Sequence, residues 1–301
     1  MRIAFFGLGV MGSPMAQNLL KAGHVVVGVR RGSRNEAAFE SAGGRLAESI
    51  AAALAGAEAA VSVLPDSPDV ESVALAPGGI IEAGSPGLLY ADMSTIKPET
   101  SRTVAARARE CGIRAVDAPV SGGEAAAVGG NLSIMVGGEA EDVEAFRPLF
   151  EVLGTTISHV GPSGSGQTVK AANQLIVAGH LQLLAEAIVF LEATGVDVAE
   201  ALHVIGGGLA GSTVLERRGA SMLARSFVPG FRIDLHHKDL GILDAAAREA
   251  GVTLPLGSHV RQLMAAARAT GAGGLDHTAL IGLAEALSSA HPELYEAPRR
   301  D

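Results

Sequence analysis

Through the first half of the chain, short apolar runs alternate with stretches of helical composition. The runs are Arg2–Phe6, Val25–Arg30, Ala59–Leu64, Leu88–Asp92 and Arg114–Asp117. Between them, Val10–Lys21, Glu36–Ser41, Ala47–Leu54, Val70–Leu75 and Pro98–Glu110 are expected to be helices. A strand covered on both faces reads as a continuous apolar run, and strands alternating with helices build parallel sheets. The pattern therefore predicts the α/β class, with a doubly wound sheet. Leu132–Val136 and Thr155–Val160, flanking a helical Ala140–Leu153, extend the same sheet.

The pattern changes after Gly161-Pro162-Ser163-Gly164-Ser165-Gly166. Gln167–Thr194 contains no proline and a single internal glycine, Gly179. At 1.5 Å per residue it predicts a helix of roughly 40 Å, long enough to join two domains. Further helices are expected at Val198–Ile205, Thr213–Ala224, His237–Ala250, Gly257–Thr270 and Asp276–Ala290, with a frayed tail from His291. Residues 1–161 and 162–301 thus form two domains, the second all-helical.

Composition narrows the function. The net charge of −9 argues against nucleic acid, which requires a cationic surface to displace counterions. It allows a small anionic substrate held by a few local cations. One cysteine, Cys111, permits no internal disulfide and no zinc cluster and fits a reducing, cytoplasmic setting. No apolar run is expected to reach the roughly 18–20 residues of a membrane span, and the apolar start is broken by Gly7, Gly9 and Gly12 too early for a signal peptide. Glycine is about twice as frequent as usual, 39 of 301 residues, while aromatics are only 3%. Ala, Val, Leu and Ile must fill the core, and the Ala- and Leu-rich helical half suggests a homodimer or homotetramer.

The chemistry begins at Gly7-Leu8-Gly9-Val10-Met11-Gly12, directly after the first strand and opening the first helix. In that context the glycines make a tight turn, admit a pyrophosphate and let helix and strand pack, as in a Rossmann dinucleotide site. Where an NAD site usually carries an acid for the ribose 2′-hydroxyl, this chain has Arg30 and Arg31, then Gly32, Ser33 and Arg34. Guanidinium forks suit a 2′-phosphate, so NADP is expected in preference to NAD. In Asp117-Ala118-Pro119-Val120-Ser121-Gly122-Gly123, the hydroxyl of Ser121 and the amides of Gly122 and Gly123 offer a carboxylate nest, or an ordinary turn. Lys170 and Asn173 lie one turn apart among apolar neighbours, where an ammonium is either a solvated charge or a general acid. His236, His237 and Lys238 lack the spacing of a metal site, and no metal is expected.

Gly7–Gly12, Asp117–Gly123, Lys170–Gln174 and Lys238-Asp239-Leu240 together resemble the β-hydroxyacid dehydrogenase family across nearly the whole chain. Gly207–Leu215 and Phe227–His236 resemble its tartronate semialdehyde-reducing branch. The resemblance implies an NAD(P)-dependent reductase with Lys170 as the catalytic lysine. It implies that Ser121, Gly122, Gly123 and Asn173 hold the substrate, and that Leu64, Pro65, Thr95 and Lys238 touch the cofactor. Gln174 stands where hydroxyisobutyrate dehydrogenases more often carry Asn, and Arg30 where the nearest branch tends to be acidic. The rival readings are 3-hydroxyisobutyrate dehydrogenase, a glyoxylate or succinic semialdehyde reductase, an imine reductase, and a cofactor-binding scaffold without turnover.

Overall fold

The computed structural model describes residues 1–288. Their contacts divide the chain into two compact units, Met1–Lys170 and the remainder from Ala171. In the first unit the order is β1 (Arg2–Phe6), α1 (Gly12–Lys21), β2 (Val25–Val29), α2 (Glu36–Ser41), β3 (Arg45–Ala47), α3 (Ile50–Leu54) and β4 (Ala59–Ser62). Next come α4 (Ser67–Ala74), α5 (Ile80–Ala83), β5 (Leu89–Asp92), α6 (Pro98–Glu110), β6 (Arg114–Asp117), β7 (Val120–Ser121) and α7 (Gly123–Gly129). β8 (Leu132–Gly137), α8 (Ala140–Leu153), β9 (Gly154–Gly161) and the start of α9 (Ser165–Ala193) complete it.

The sheet runs β3-β2-β1-β4-β5-β6-β8-β7, with β9 on β8. The six strands from β3 to β6 are parallel, which is the doubly wound order 3-2-1-4-5-6. β8 is antiparallel to β6 and β7. Both faces of the sheet are covered. Ile3 and Phe5 enter one core with Met15, Leu19 and Phe146, while Ala4 and Phe6 enter the other with Val70, Tyr90 and Ile96. That is why β1 reads as an unbroken apolar run. Phe5 is fully buried, and truncating it to Ala should cost about 3–5 kcal/mol.

Some expectations require correction. Ala47–Leu54 is not one helix: Arg45–Ala47 pairs with Val27–Val29 as an edge strand, and α3 begins only after Ser49 caps it. α9 is long and apolar enough to cross a membrane by length and composition, contrary to the expectation that no such run exists. Lys170, Asn173, Gln174, Gln182 and Glu186 interrupt it. Its Ala178, Leu181, Ala185 and Ile188 face is buried in the second unit's own core, which marks it as a core helix.

The second unit contains the rest of α9, then α10 (Val198–Gly206), α11 (Thr213–Leu223), α12 (Ile233–Glu249), α13 (Pro255–Ala269) and α14 (Leu280–Leu287). α12 starts four residues before the expected His237; no side chain caps it, and Asp234 in its first turn complements the helix dipole. Short 3-10 turns occupy Ala272–Gly274 and His277–Ala279. Ser289, Ala290 and the expected frayed tail from His291 lie outside the described residues. Arg225 ties α9 to α14, pairing with Glu192 at 2.7 Å and Glu285 at 2.5 Å.

Candidate active site

Because their strands are parallel, β1, β2, β4, β5 and β6 all end at one edge of the sheet. Phe6, Ser62, Asp92 and Asp117 are successive register partners along that edge. The glycine loop, Arg30, Leu64, Pro65, Thr95 and Ser121 follow these ends and so gather on one side of the first unit, as ligand sites in open α/β sheets do.

The glycines of the first loop have different reasons. Gly7 has φ +104°, and a Cβ there would lie 2.1 Å from the Val63 carbonyl oxygen. On Gly12 a Cβ would lie 1.8 Å from the Gly7 oxygen. On Gly9 it would meet nothing within 4 Å. Two glycines are thus demanded by the fold, and the third keeps open a space that the fold does not use. Leu8 is buried beneath the loop, Val10 is exposed and Met11 is half-buried. α1 starts with neither a side-chain cap nor an acidic residue, so no carboxylate of the protein's own offsets its N-terminal dipole there. These residues fit a pyrophosphate.

At the end of β2 the arginines divide. Arg30, itself exposed, is flanked by carboxylates, with Glu48 at 3.2 Å, Glu40 at 3.3 Å and Glu36 at 3.7 Å. Buried Glu36 also accepts the backbone amides of Arg31 at 2.7 Å and Ser33 at 3.0 Å. The Arg31 amide is the main reason its carboxyl lies below the usual range. Ser33 and Asn35 both donate to the Leu8 carbonyl, which joins this loop to the glycine loop. Arg31 and Arg34 are exposed and, among the described residues, make no side-chain ion pair. Arg30 is therefore committed to the protein's own acids, whereas Arg31 and Arg34 are available.

The turns after β4 and β5 are knitted together by Ser94. Its hydroxyl donates to Asp92 at 2.6 Å and accepts the Leu64 amide at 2.8 Å. Asp92 also accepts the Ser62 hydroxyl at 2.7 Å, beside the buried Tyr90 hydroxyl. Burial, and then Asp92, push the Tyr90 phenol well up. Leu64 and Thr95 are half-buried and Pro65 exposed. After β6, Asp117 accepts the amides of Gly164 at 2.6 Å and Gln167 at 3.0 Å, placing a carboxylate at the positive end of α9. Burial, with a smaller contribution from Asp92, raises its pKa to about 6. Beyond it, Gly122 and Gly123 have φ of +136° and +73°, next to the half-exposed Ser121. A Cβ on Gly122 would clash with Ala126, while Gly123 faces open space.

Lys170 lies in the second turn of α9 and is only 7% exposed. In the second unit, Asn173 donates to Gln174 at 2.9 Å, Gln174 donates to Asp239 at 2.5 Å, and Lys238 pairs with Asp239 at 2.9 Å. His236 contacts the Gln174 carbonyl and, at 3.1 Å, His277. Burial, then His236, brings the His277 pKa down to about 3, so this ring is neutral near pH 7. Among the described residues no three His, Cys, Asp or Glu side chains converge as metal ligands. Sequence reasoning assigned no role to Ser94, Asp92, Gln167 or Glu36. Only Glu36 carried a local signal, an acid opening a helix directly after an arginine loop.

The description "NAD binding domain of 6-phosphogluconate dehydrogenase" belongs to a family model that matches residues 2–161. A second, "NAD-binding of NADP-dependent 3-hydroxyisobutyrate dehydrogenase", matches residues 164–284. The chain is 38% identical over 289 residues to 2-hydroxy-3-oxopropionate reductase of Escherichia coli (strain K12), covering 96% of this chain and 99% of that protein. To the NAD-dependent L-serine dehydrogenase of Pseudomonas aeruginosa it is 38% identical over 264 residues, covering 85% and 89%. A solved structure of Mycobacterium tuberculosis 3-hydroxyisobutyrate dehydrogenase with L-serine matches with a TM-score of 0.84 at 34% identity, covering 93% of this chain and 97% of that one.

Proposed function

Given that the chain belongs to the β-hydroxyacid dehydrogenase family and is an NAD(P)-binding oxidoreductase, we propose that it reduces tartronate semialdehyde reversibly to D-glycerate. When bound, the nicotinamide supplies the hydride. Lys170 Nζ gives the proton to the aldehyde oxygen. The Ser121 hydroxyl and the amides of Gly122 and Gly123 hold the carboxylate, and Asn173 holds the hydroxyl end. The observation that carries this reading is the burial of Lys170. A solvated surface lysine would not be 7% exposed, and a proton donor is most effective where water is excluded. The identity to the Escherichia coli reductase, which extends over nearly the whole chain, supports the choice of aldehyde.

NADPH is preferred in this reading, through Arg31 and Arg34. Arg30 is a loop staple rather than a phosphate ligand, which changes the expectation drawn from the sequence. Its fork already serves three carboxylates. A second reading, oxidation of L-serine, draws on the similarity to the Pseudomonas aeruginosa enzyme and on the ligand of the Mycobacterium tuberculosis structure. Serine and glycerate share the same β-hydroxy acid frame and differ by an amine for a hydroxyl.

The test is Lys170→Ala. General acid catalysis contributes typically 10²–10⁴-fold, so kcat should fall at least a hundredfold, about 3 kcal/mol of barrier. NADPH affinity, titrated without substrate, should remain within a few-fold. A near-normal kcat would remove Lys170 from the chemistry.

A further inference from the structure

One amide side chain joins the turn that carries Thr95 to the helix that carries Lys170. Gln167 Oε1 accepts the Ile96 amide at 3.0 Å, and its Nε2 donates to the Ser94 carbonyl at 2.8 Å. One polar atom of each peptide group flanking Thr95, the Ser94 carbonyl and the Ile96 amide, is therefore paired by a single planar group that is 1% exposed. Gln167 is itself seated from below, its backbone amide on Asp117 Oδ2, while Oδ1 takes the Gly164 amide. Lys170 follows nearly one helical turn later, and Ser121 follows Asp117 through β7. All of these residues belong to the first unit.

We propose that Gln167, seated on Asp117, is a positioning residue that sets the Lys170 ammonium in register with the Thr95 turn. The proposal rests on the reading in which Lys170 gives the proton and Thr95 meets the cofactor. The demand on residue 167 is narrow. It must present one donor and one acceptor in a plane, at the reach of a three-carbon side-chain amide. Asn is one methylene short. Leu leaves a buried N–H and a buried C=O unpaired. An ionised Glu has no proton to offer the Ser94 carbonyl, but a protonated Glu has both a donor and an acceptor. A displacement of about 1 Å between reacting groups costs on the order of 10²-fold in rate, so a lost clamp should appear in turnover as well as in stability.

The experiment compares Gln167→Leu and Gln167→Glu with the parent chain in kcat, KM, thermal midpoint and NADPH affinity by fluorescence without substrate. Folded Gln167→Leu should lose roughly 10- to 100-fold in kcat and bind NADPH several-fold more weakly. For Gln167→Glu, kcat and NADPH affinity, each taken relative to the parent at the same pH, should recover together as the pH is lowered. Asp117 on β6, which takes this residue's backbone amide, and Asp92 on β5, which acts on Asp117, favour the protonated form of that residue, and Arg102 on α6, beside Gly164, and Lys170 on α9 oppose it. If Gln167→Leu does not fold, Gln167→Glu decides alone. Variants that lose thermal stability but keep the parent's kcat and NADPH affinity within twofold at every pH would reduce Gln167 to a structural filler. A Lys170→Ala chain with normal kcat would overturn the underlying reading instead. An inactive Lys170→Ala beside a normal Gln167→Leu would overturn the clamp alone.

Discussion

Two glycine turns leave the same edge of the sheet, and they are held by different forces. The turn after β1 is held by sterics, because Gly7 and Gly12 lie where a single methyl would overlap a carbonyl oxygen. The turn after β6 springs from Asp117, a buried carboxylate that accepts the amides of Gly164, just before α9, and of Gln167 in its first turn. Gly9 in the first turn, and Gly123 where the short β7 beyond the second turn passes into α7, each face open space. The difference separates glycines that the chain needs in order to fold from those that leave room for a ligand. It also implies that pH should act on the second turn and not on the first.

The largest effect should come from Gly12→Ala. A Cβ 1.8 Å from an oxygen forces the loop or α1 to move, which should cost about 3 kcal/mol or more in chemical denaturation. Gly9→Ala, three residues away, should stay within about 0.5 kcal/mol of the parent in stability yet bind NADPH at least tenfold more weakly. If the two variants behaved alike, the distinction between structural and ligand-facing glycines would be lost.

Next in size is the response to pH. The Asp117 carboxyl has a pKa of about 6 in the fold, above the 3.8 of an unperturbed Asp. The folded chain therefore holds more protons than the unfolded chain between those values. The contribution is complete below about pH 4 and is lost as pH rises through 6, a decline of up to about 3 kcal/mol. Asp117→Asn should flatten denaturation midpoints measured across pH 4–7. An unchanged slope in that variant would assign the titration to other groups.

Smaller still is cofactor choice. Arg31→Ala or Arg34→Ala should each lower the NADPH-to-NADH ratio of kcat/KM by about tenfold at low salt, with the effect shrinking as salt rises. Arg30→Ala should leave the ratio within about threefold. An Arg30 variant that shifts the ratio more than the other two would mean that the carboxylate cage opens to admit the phosphate.

What the sequence made legible follows the same division. β1, β6, α2, α6 and α8 were marked end to end by local pattern, because each is an unbroken apolar run or an amphipathic stretch with clear stops. β3 and β7 were not, since strands of three and two residues exist only through their partners, Val27–Val29 and Ser133–Ile134. α7 was hidden because it opens and closes on glycine. Among the candidate residues, Lys170 stood out by its apolar surroundings. Gln167 did not, because its partners are backbone groups 71 and 73 residues away and carry no side-chain signature. The commitment of Arg30 was equally invisible, since Glu40 and Glu48 reach it only once β2, α2 and β3 have been brought together.

The central claim, a reductase of a small hydroxy-aldehyde acid, is tested most directly by initial rates on a substrate panel. The panel comprises tartronate semialdehyde, methylmalonate semialdehyde, succinic semialdehyde, glyoxylate and a cyclic imine, with L-serine in the oxidative direction and both nicotinamide cofactors throughout. Tartronate semialdehyde with NADPH should give the highest kcat/KM. A tenfold advantage for succinic semialdehyde, the imine or L-serine would contradict it.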